Sequence, residues 1–218
     1  MVYLITTIIS VIGNLVLGAL VFSKDKKNFL NIQFLIFTLL LAAYIATSYI
    51  SMPLQSTEIA KISFFLSPVL KGSAFAWIIS LCIGPKPKIT ISIYIIGIIL
   101  GGLNLISNLG IKDLIVTNTD FQYSPGLLSP IYFMYTLGIV LIGSYLLIKS
   151  AISVKGAIRR KFIIIITGLI SYAVIAFVTG TFLPTIEIKN FALFDIPGSL
   201  IFIGSTTYAM IKYKKTDN

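Results

Sequence analysis

Seven residues, Lys155-Gly156-Ala157-Ile158-Arg159-Arg160-Lys161, constrain this chain more than any others. An apolar run long enough to cross a bilayer lies on each side, about 127–148 before and about 162–183 after. Adjacent cations between two spans resist translocation, so this stretch is expected to stay in the cytoplasm. Every other span then takes its direction by counting outward.

The composition agrees. With 57% hydrophobic and 11% charged residues and a mean hydropathy of +1.00, the chain is far from the roughly 25% charged residues of soluble domains. At about 20 residues per span, seven spans use roughly 140 positions. That leaves loops and tails within one membrane domain, residues 1–218. The expected spans are about 2–22, 29–50, 59–83, 89–106, 127–148, 162–183 and 193–211. The first carries no basic residue ahead of its apolar run, so it reads as a retained span and not as a cleaved leader.

Charge placement fixes the expected orientation. With 149–161 inside, the inner connections hold Lys24, Lys26, Lys27, Lys86, Lys88, Lys149, Lys155, Arg159, Arg160, Lys161, Lys212, Lys214 and Lys215, 13 of the 17 cations. The sequence therefore predicts an all-α membrane protein: a seven-transmembrane helix bundle, N-terminus outside, C-terminus cytoplasmic, in the cell membrane. A six-span arrangement would strand a basic cluster outside. The net charge of +10 orients the chain beside anionic lipid and does not imply nucleic acid, because the cations lie in short loops between apolar spans. Between spans four and five, two β-prone runs around Thr117-Asn118-Thr119-Asp120 predict a small hairpin.

The chain has no histidine and one cysteine, Cys82. These residues supply no intrachain disulfide, Cys/His metal site or Ser-His-Asp triad, so neither metal, cofactor nor enzymatic activity is expected. Lys71 is the one charge deep in a span, where a lysine costs about 2.5–3.5 kcal/mol and ordinarily faces protein or water. Pro68, three residues earlier, lacks an amide and frees the Phe64 carbonyl, predicting a kink there. Pro184 and Pro197 mark boundaries near spans six and seven. Lys71 with Asp195, Tyr132 and Tyr135 forms a candidate ligand site opening outward. The alternatives are a lysine that only snorkels or pairs structurally, and aromatics that form an interfacial belt. Asn14, Asn104 and Trp77 read as helix–helix contacts. Gly97/Gly101 and Ala176/Gly180, one turn apart, read as close-packing positions inside the bundle or as a dimer seam.

The order of several motifs resembles the N-terminal seven-transmembrane region of sensor histidine kinases. They are Asn14 with Val21-Phe22, then Asn31, Phe34, Phe37 and Ala43, then Arg159-Arg160-Lys161-Phe162 with Gly168 and Thr179 through Pro184. Ile196 through Phe202 and Tyr208 through Tyr213 complete the series. The resemblance spans nearly the whole chain, through degenerate apolar motifs. It implies a sensory input module without catalytic activity, working through a cytoplasmic kinase, cyclase or response-regulator partner, with homodimerisation possible. The 218 residues hold no phospho-accepting helix and no ATP-binding domain, which implies either a truncated chain or a stand-alone input domain. The competing reading is a small seven-span solute transporter with a broken helix at Pro68. Against that stands the missing internal repeat. A retinal protein is excluded, because positions 193–211 contain no lysine.

Overall fold

A computed structural model describes residues 2–106, 109–117, 121–178 and 195–213, without the side chains of Val2, Ile106, Phe121, Ala176, Phe177 and Asp195. Seven helices occupy these residues: α1 (Val2–Lys24), α2 (Phe29–Ser51), α3 (Thr57–Cys82), α4 (Pro87–Ile106), α5 (Ser129–Ser153), α6 (Gly156–Phe177) and α7 (Asp195–Lys212). The first five are long and apolar enough to cross a membrane. Of the described parts of the other two, α6 carries Arg159-Arg160-Lys161 as its fourth to sixth residues, and α7 is 18 residues long.

Local chemistry explains the helix starts. The Asn28 side chain accepts from the Leu30 amide at 2.9 Å to cap α2, and Ser56 accepts from the Ile59 amide at 3.3 Å to cap α3. Each satisfies an amide that has no partner within its helix. Pro197 is the third residue of the described part of α7. Pro184 lies outside the described residues.

One expected boundary is corrected. The basic stretch is not a loop: α5 runs on to Ser153, and α6 already begins at Gly156. The link is Val154-Lys155, both extended, followed by Gly156 at φ 64, a left-handed conformation that suits glycine. Arginine and lysine are good helix formers, so nothing local keeps 157–161 from joining the helix.

The helices close into a ring in the order α1–α2–α3–α5–α6–α7, each packed on the next and α7 returning to α1, while α4 packs chiefly against α3. Their amphipathicity is inverted relative to a soluble bundle. On α1 the buried line is Thr7, Ser10, Asn14, Gly18 and Val21, while Ile5, Ile8, Ile9, Ile12, Val16 and Leu20 are exposed. Apolar surroundings provide no hydrophobic drive between helices, so small and polar side chains make the contacts. Asn14 Nδ2 donates to Ser199 Oγ at 3.3 Å and joins α1 to α7. The Tyr94 hydroxyl donates to Gln33 Oε1 at 2.9 Å and joins α4 to α2. The ring's centre is aromatic. Trp77 is fully buried, with Phe34, Phe37 and Phe202 at centroid separations of 5.5, 6.3 and 6.2 Å.

The expected hairpin is present, as strands β1 (Ile111–Val116) and β2 (Phe121–Pro125), although 118–120 of its turn lie outside the described residues. The pairing shifts by one residue between Lys112 and Ile115, with Asp113 at φ 49, the signature of a bulge. Tyr123 sets the hairpin edge-on against Phe64 of α3, centroids 5.4 Å apart.

Gly97 and Gly101 pack inside the chain, not on an outer seam; Ala176's side chain and Gly180 lie outside the described residues. A Cβ on Gly97 would stand 3.1 Å from the Pro68 carbonyl oxygen, and one on Gly101 only 2.5 Å from that of Phe65. Neighbouring Gly102 has nothing within 4 Å of the same position. Gly101→Ala should therefore lower thermal stability in detergent by about 1–3 kcal/mol through overpacking. Gly102→Ala should be neutral or raise it by up to about 1 kcal/mol through helix propensity. Equal effects of the two substitutions would show that the α3–α4 approach is not what Gly101 serves.

Candidate functional site

Pro68 lies within the continuous helix α3 and has no amide to offer the Phe64 carbonyl four residues back. In apolar surroundings an orphaned carbonyl costs several kcal/mol. Asn104 of α4 fills the gap: its Nδ2 donates to Phe64 O at 3.0 Å and also to the Tyr132 hydroxyl of α5. Tyr132 in turn donates to Leu100 O at 2.6 Å. Tyr135 donates to the Pro68 carbonyl at 3.1 Å. Gly72 keeps that approach open, since a Cβ there would lie 2.8 Å from the Tyr135 oxygen. Partly buried Lys71 donates to Thr136 Oγ1 at 3.2 Å.

Lys71, Tyr132 and Tyr135 thus lie where α3, α4 and α5 converge around Pro68, and Asn104 ties Tyr132 to the Phe64 carbonyl. The hydroxyl protons of both tyrosines go to helix carbonyls. That arrangement satisfies the backbone and fixes the irregular helix among its neighbours, as expected of contact residues more than of a vacant pocket. Asp195 opens α7, which packs against α1 and α6; its side chain is not described, and the partner found for Lys71 is Thr136.

The large cavity lies at the other end of the bundle. About 840 Å³ in volume, it opens among the ends of α1, α3, α5 and α7 and the starts of α2 and α6. Lys24, Lys149 and Lys161 line it with Asp25, so its charged lining is net basic. Its walls are mixed, with Val21, Leu81, Leu146, Ile158, Phe162 and Met210 among the apolar side chains and Asn28, Asn31 and Ser150 among the polar ones. Ser80 and Ser153 contribute oxygens whose protons go to Ala76 O and Lys149 O, both at 2.8 Å, leaving acceptors free. Cys82, the only cysteine, also lines the cavity and contacts the Ser150 side chain. Burial pulls the Lys161 ammonium below the ordinary lysine range.

Sequence reasoning assigned Lys24, Lys149 and Lys161 to orientation alone. They come from three separate helix ends, and nothing in their linear order says that they share a cavity. The available signal was that each lies within two residues of an expected span boundary on the same expected side.

No protein-family model matches the chain, and no curated protein matches it. The likeness to the sensor-kinase membrane region rests on the order of its sequence motifs.

A double substitution tests how the Pro68 carbonyl gap is filled. Asn104→Leu alone should destabilise by about 1–3 kcal/mol, the cost of an unsatisfied buried group. Pro68→Ala restores an amide for Phe64, so Asn104→Leu should cost about 1 kcal/mol less in that background. Strict additivity in a detergent unfolding cycle would refute the assignment.

Proposed function

We propose that the chain is a seven-span membrane protein, N-terminus outside and C-terminus cytoplasmic, acting as a non-catalytic sensory input module for a separate cytoplasmic output protein. The observation that carries this reading is the mechanical link between two unlike ends. Helices α3 and α5 run from the hydrogen-bonded cluster around Pro68 and Lys71 to the rim of the basic cavity. A stimulus that rearranges the cluster moves helix ends at the cavity, and helix ends are what an adjoining protein can sense. A helix carrying a proline, held by side chains instead of its own ladder, is a recognised place for such movement.

The orientation is supported by the gathering of basic loops at one end. Lys24 and Asp25, Gly84 and Pro85, Val154 and Lys161, and Tyr213 after α7 all border the same cavity. The positive-inside rule puts that end in the cytoplasm. In a Cys82→Ser background, a membrane-impermeant thiol reagent applied to intact cells should label a cysteine at Tyr3 and spare one at Lys155. Labelling at 155 overturns the orientation.

The transporter reading keeps one supporting observation, because a cavity open at one end also fits a carrier resting in one of its access states. Spin labels at Lys86 and Lys155 separate the two. Under the sensor reading, Lys71→Met or Thr136→Val shifts the distance between them by about 1–2 Å or more, the scale of helix shifts in switching proteins. An unchanged distance in both folded variants removes the sensor reading and leaves the carrier.

A further inference from the structure

At the basic end the C-termini of α1, α3, α5 and α7 offset the dipoles of the neighbouring N-termini of α2, α4 and α6, so the positive character there rests on side chains. None of those three N-termini has an acidic residue in its first turn. The first turn of α6 instead ends on Arg159, followed at once by Arg160 and Lys161, placing cations close to a positive dipole end. Lys155, which precedes α6, makes no side-chain cap there. The ion pair found among the described residues, Lys61–Glu58, is at the opposite end, and none involves Lys24, Lys149 or Lys161. Asp25, the acid in the cavity lining, accepts from the Lys27 amide at 3.2 Å. A concave site walled in part by apolar side chains focuses the field of Lys24, Lys149 and Lys161 into the cavity.

We propose that the cavity at the basic end binds a phosphoryl-bearing anion, with Lys24, Lys149 and Lys161 gripping the phosphoryl group and the apolar side chains of the walls holding the attached organic part. The volume of about 840 Å³ lies within the range of about 300–1,000 Å³ usual for ligand pockets. Lysine is a point-charge phosphate binder, and three at one mouth suit a group whose charge is spread over several oxygens. The spare Ser80 and Ser153 oxygens accept from hydroxyl or ammonium donors near the phosphate, as in a glycerol or ethanolamine phosphate unit. Basic pockets between membrane helices on the cytoplasmic side have the chemistry of anionic-lipid headgroup sites. A soluble organophosphate carries the same group, so the test distinguishes these sources. The assignment holds whether the chain senses or transports.

Cys82 serves as the native reporter, because it lines the cavity and is the chain's only thiol. Its alkylation rate by a neutral maleimide is measured in nanodiscs of phosphatidylcholine, with and without phosphatidylglycerol, and separately with added inorganic phosphate or glycerol 3-phosphate. Nanodiscs expose both faces, so membrane orientation does not affect the result. Filling the site to about 80% should slow alkylation about fivefold. Lys149→Gln with Lys161→Gln should abolish the protection, and Lys86→Gln with Lys88→Gln, outside the cavity lining, should retain it. Should partly buried Lys161 prove necessary for folding, exposed Lys149→Glu alone must still weaken the protection. Protection by phosphatidylglycerol alone identifies a lipid headgroup; protection by either soluble phosphate identifies a soluble source. Unchanged alkylation with every probe overturns the proposal. So does protection that survives loss of Lys149 and Lys161, or that is lost equally in the Lys86/Lys88 variant.

Discussion

The bundle depends on the rule that a backbone carbonyl in apolar surroundings must find a donor. Most of α3 meets it through its own ladder. At Pro68 the ladder is interrupted, and the Phe64 carbonyl takes its hydrogen bond from Asn104 of the neighbouring helix. That bond requires α4 to lie very close, and Gly97 and Gly101 permit the approach. Tyr132 and Tyr135 then bring α5 to the same point by donating to Leu100 and Pro68 carbonyls. One missing amide thus organises three helices. Lys71 lies beside the junction and finds its own partner, Thr136, on α5.

Elsewhere the same physics works through small residues. A Cβ on Gly18 of α1 would stand 2.0 Å from Thr38 Oγ1 of α2, and one on Gly168 of α6 would collide with Ser205 of α7. Each pair brings backbones close enough for dispersion contacts to hold helices that the hydrophobic effect cannot drive together. Outside the aromatic centre, many large apolar side chains go outward; on α5, Phe133, Met134, Leu141 and Ile152 are all well exposed. A surface of that kind matches lipid better than water.

What the sequence revealed and what it hid follow from the range of each signal. Hydropathy and helix stops are local, so six helix starts were legible to within about two residues, a usual margin for element boundaries. The hairpin was legible for the same reason. The start of α6 was misread because Arg159-Arg160-Lys161 was treated as loop on account of its charge, although charged residues continue a helix readily. Pro68 and Lys71 drew attention as anomalies inside a span. Thr136 did not, because a threonine in an apolar helix carries no warning of its partner. The cavity was hidden most deeply. Its lining comes from six helix ends, from Val21 to Tyr213, and each cation alone is indistinguishable from one that only orients a span.

The two polar regions differ in how far their interactions are already satisfied. Around Pro68 the tyrosine protons, the Asn104 Nδ2 donor and the irregular carbonyl are matched to one another, with Asn104 Oδ1 left over, so most of what an incoming molecule would bond to is already engaged. At the basic end, Lys24, Lys149 and Lys161 face an open volume, so an anion gains their interaction without breaking an ion pair found among the described residues. Ligand entry therefore costs less at the cavity, while conformational change costs less at the proline, where a side-chain bond can exchange without unwinding the helix. Because α3 and α5 span both regions, any arrangement of the cluster that alters the rim alters anion affinity. Linkage requires the reverse as well: an anion that binds one arrangement more tightly must favour that arrangement at Pro68 by the same free energy.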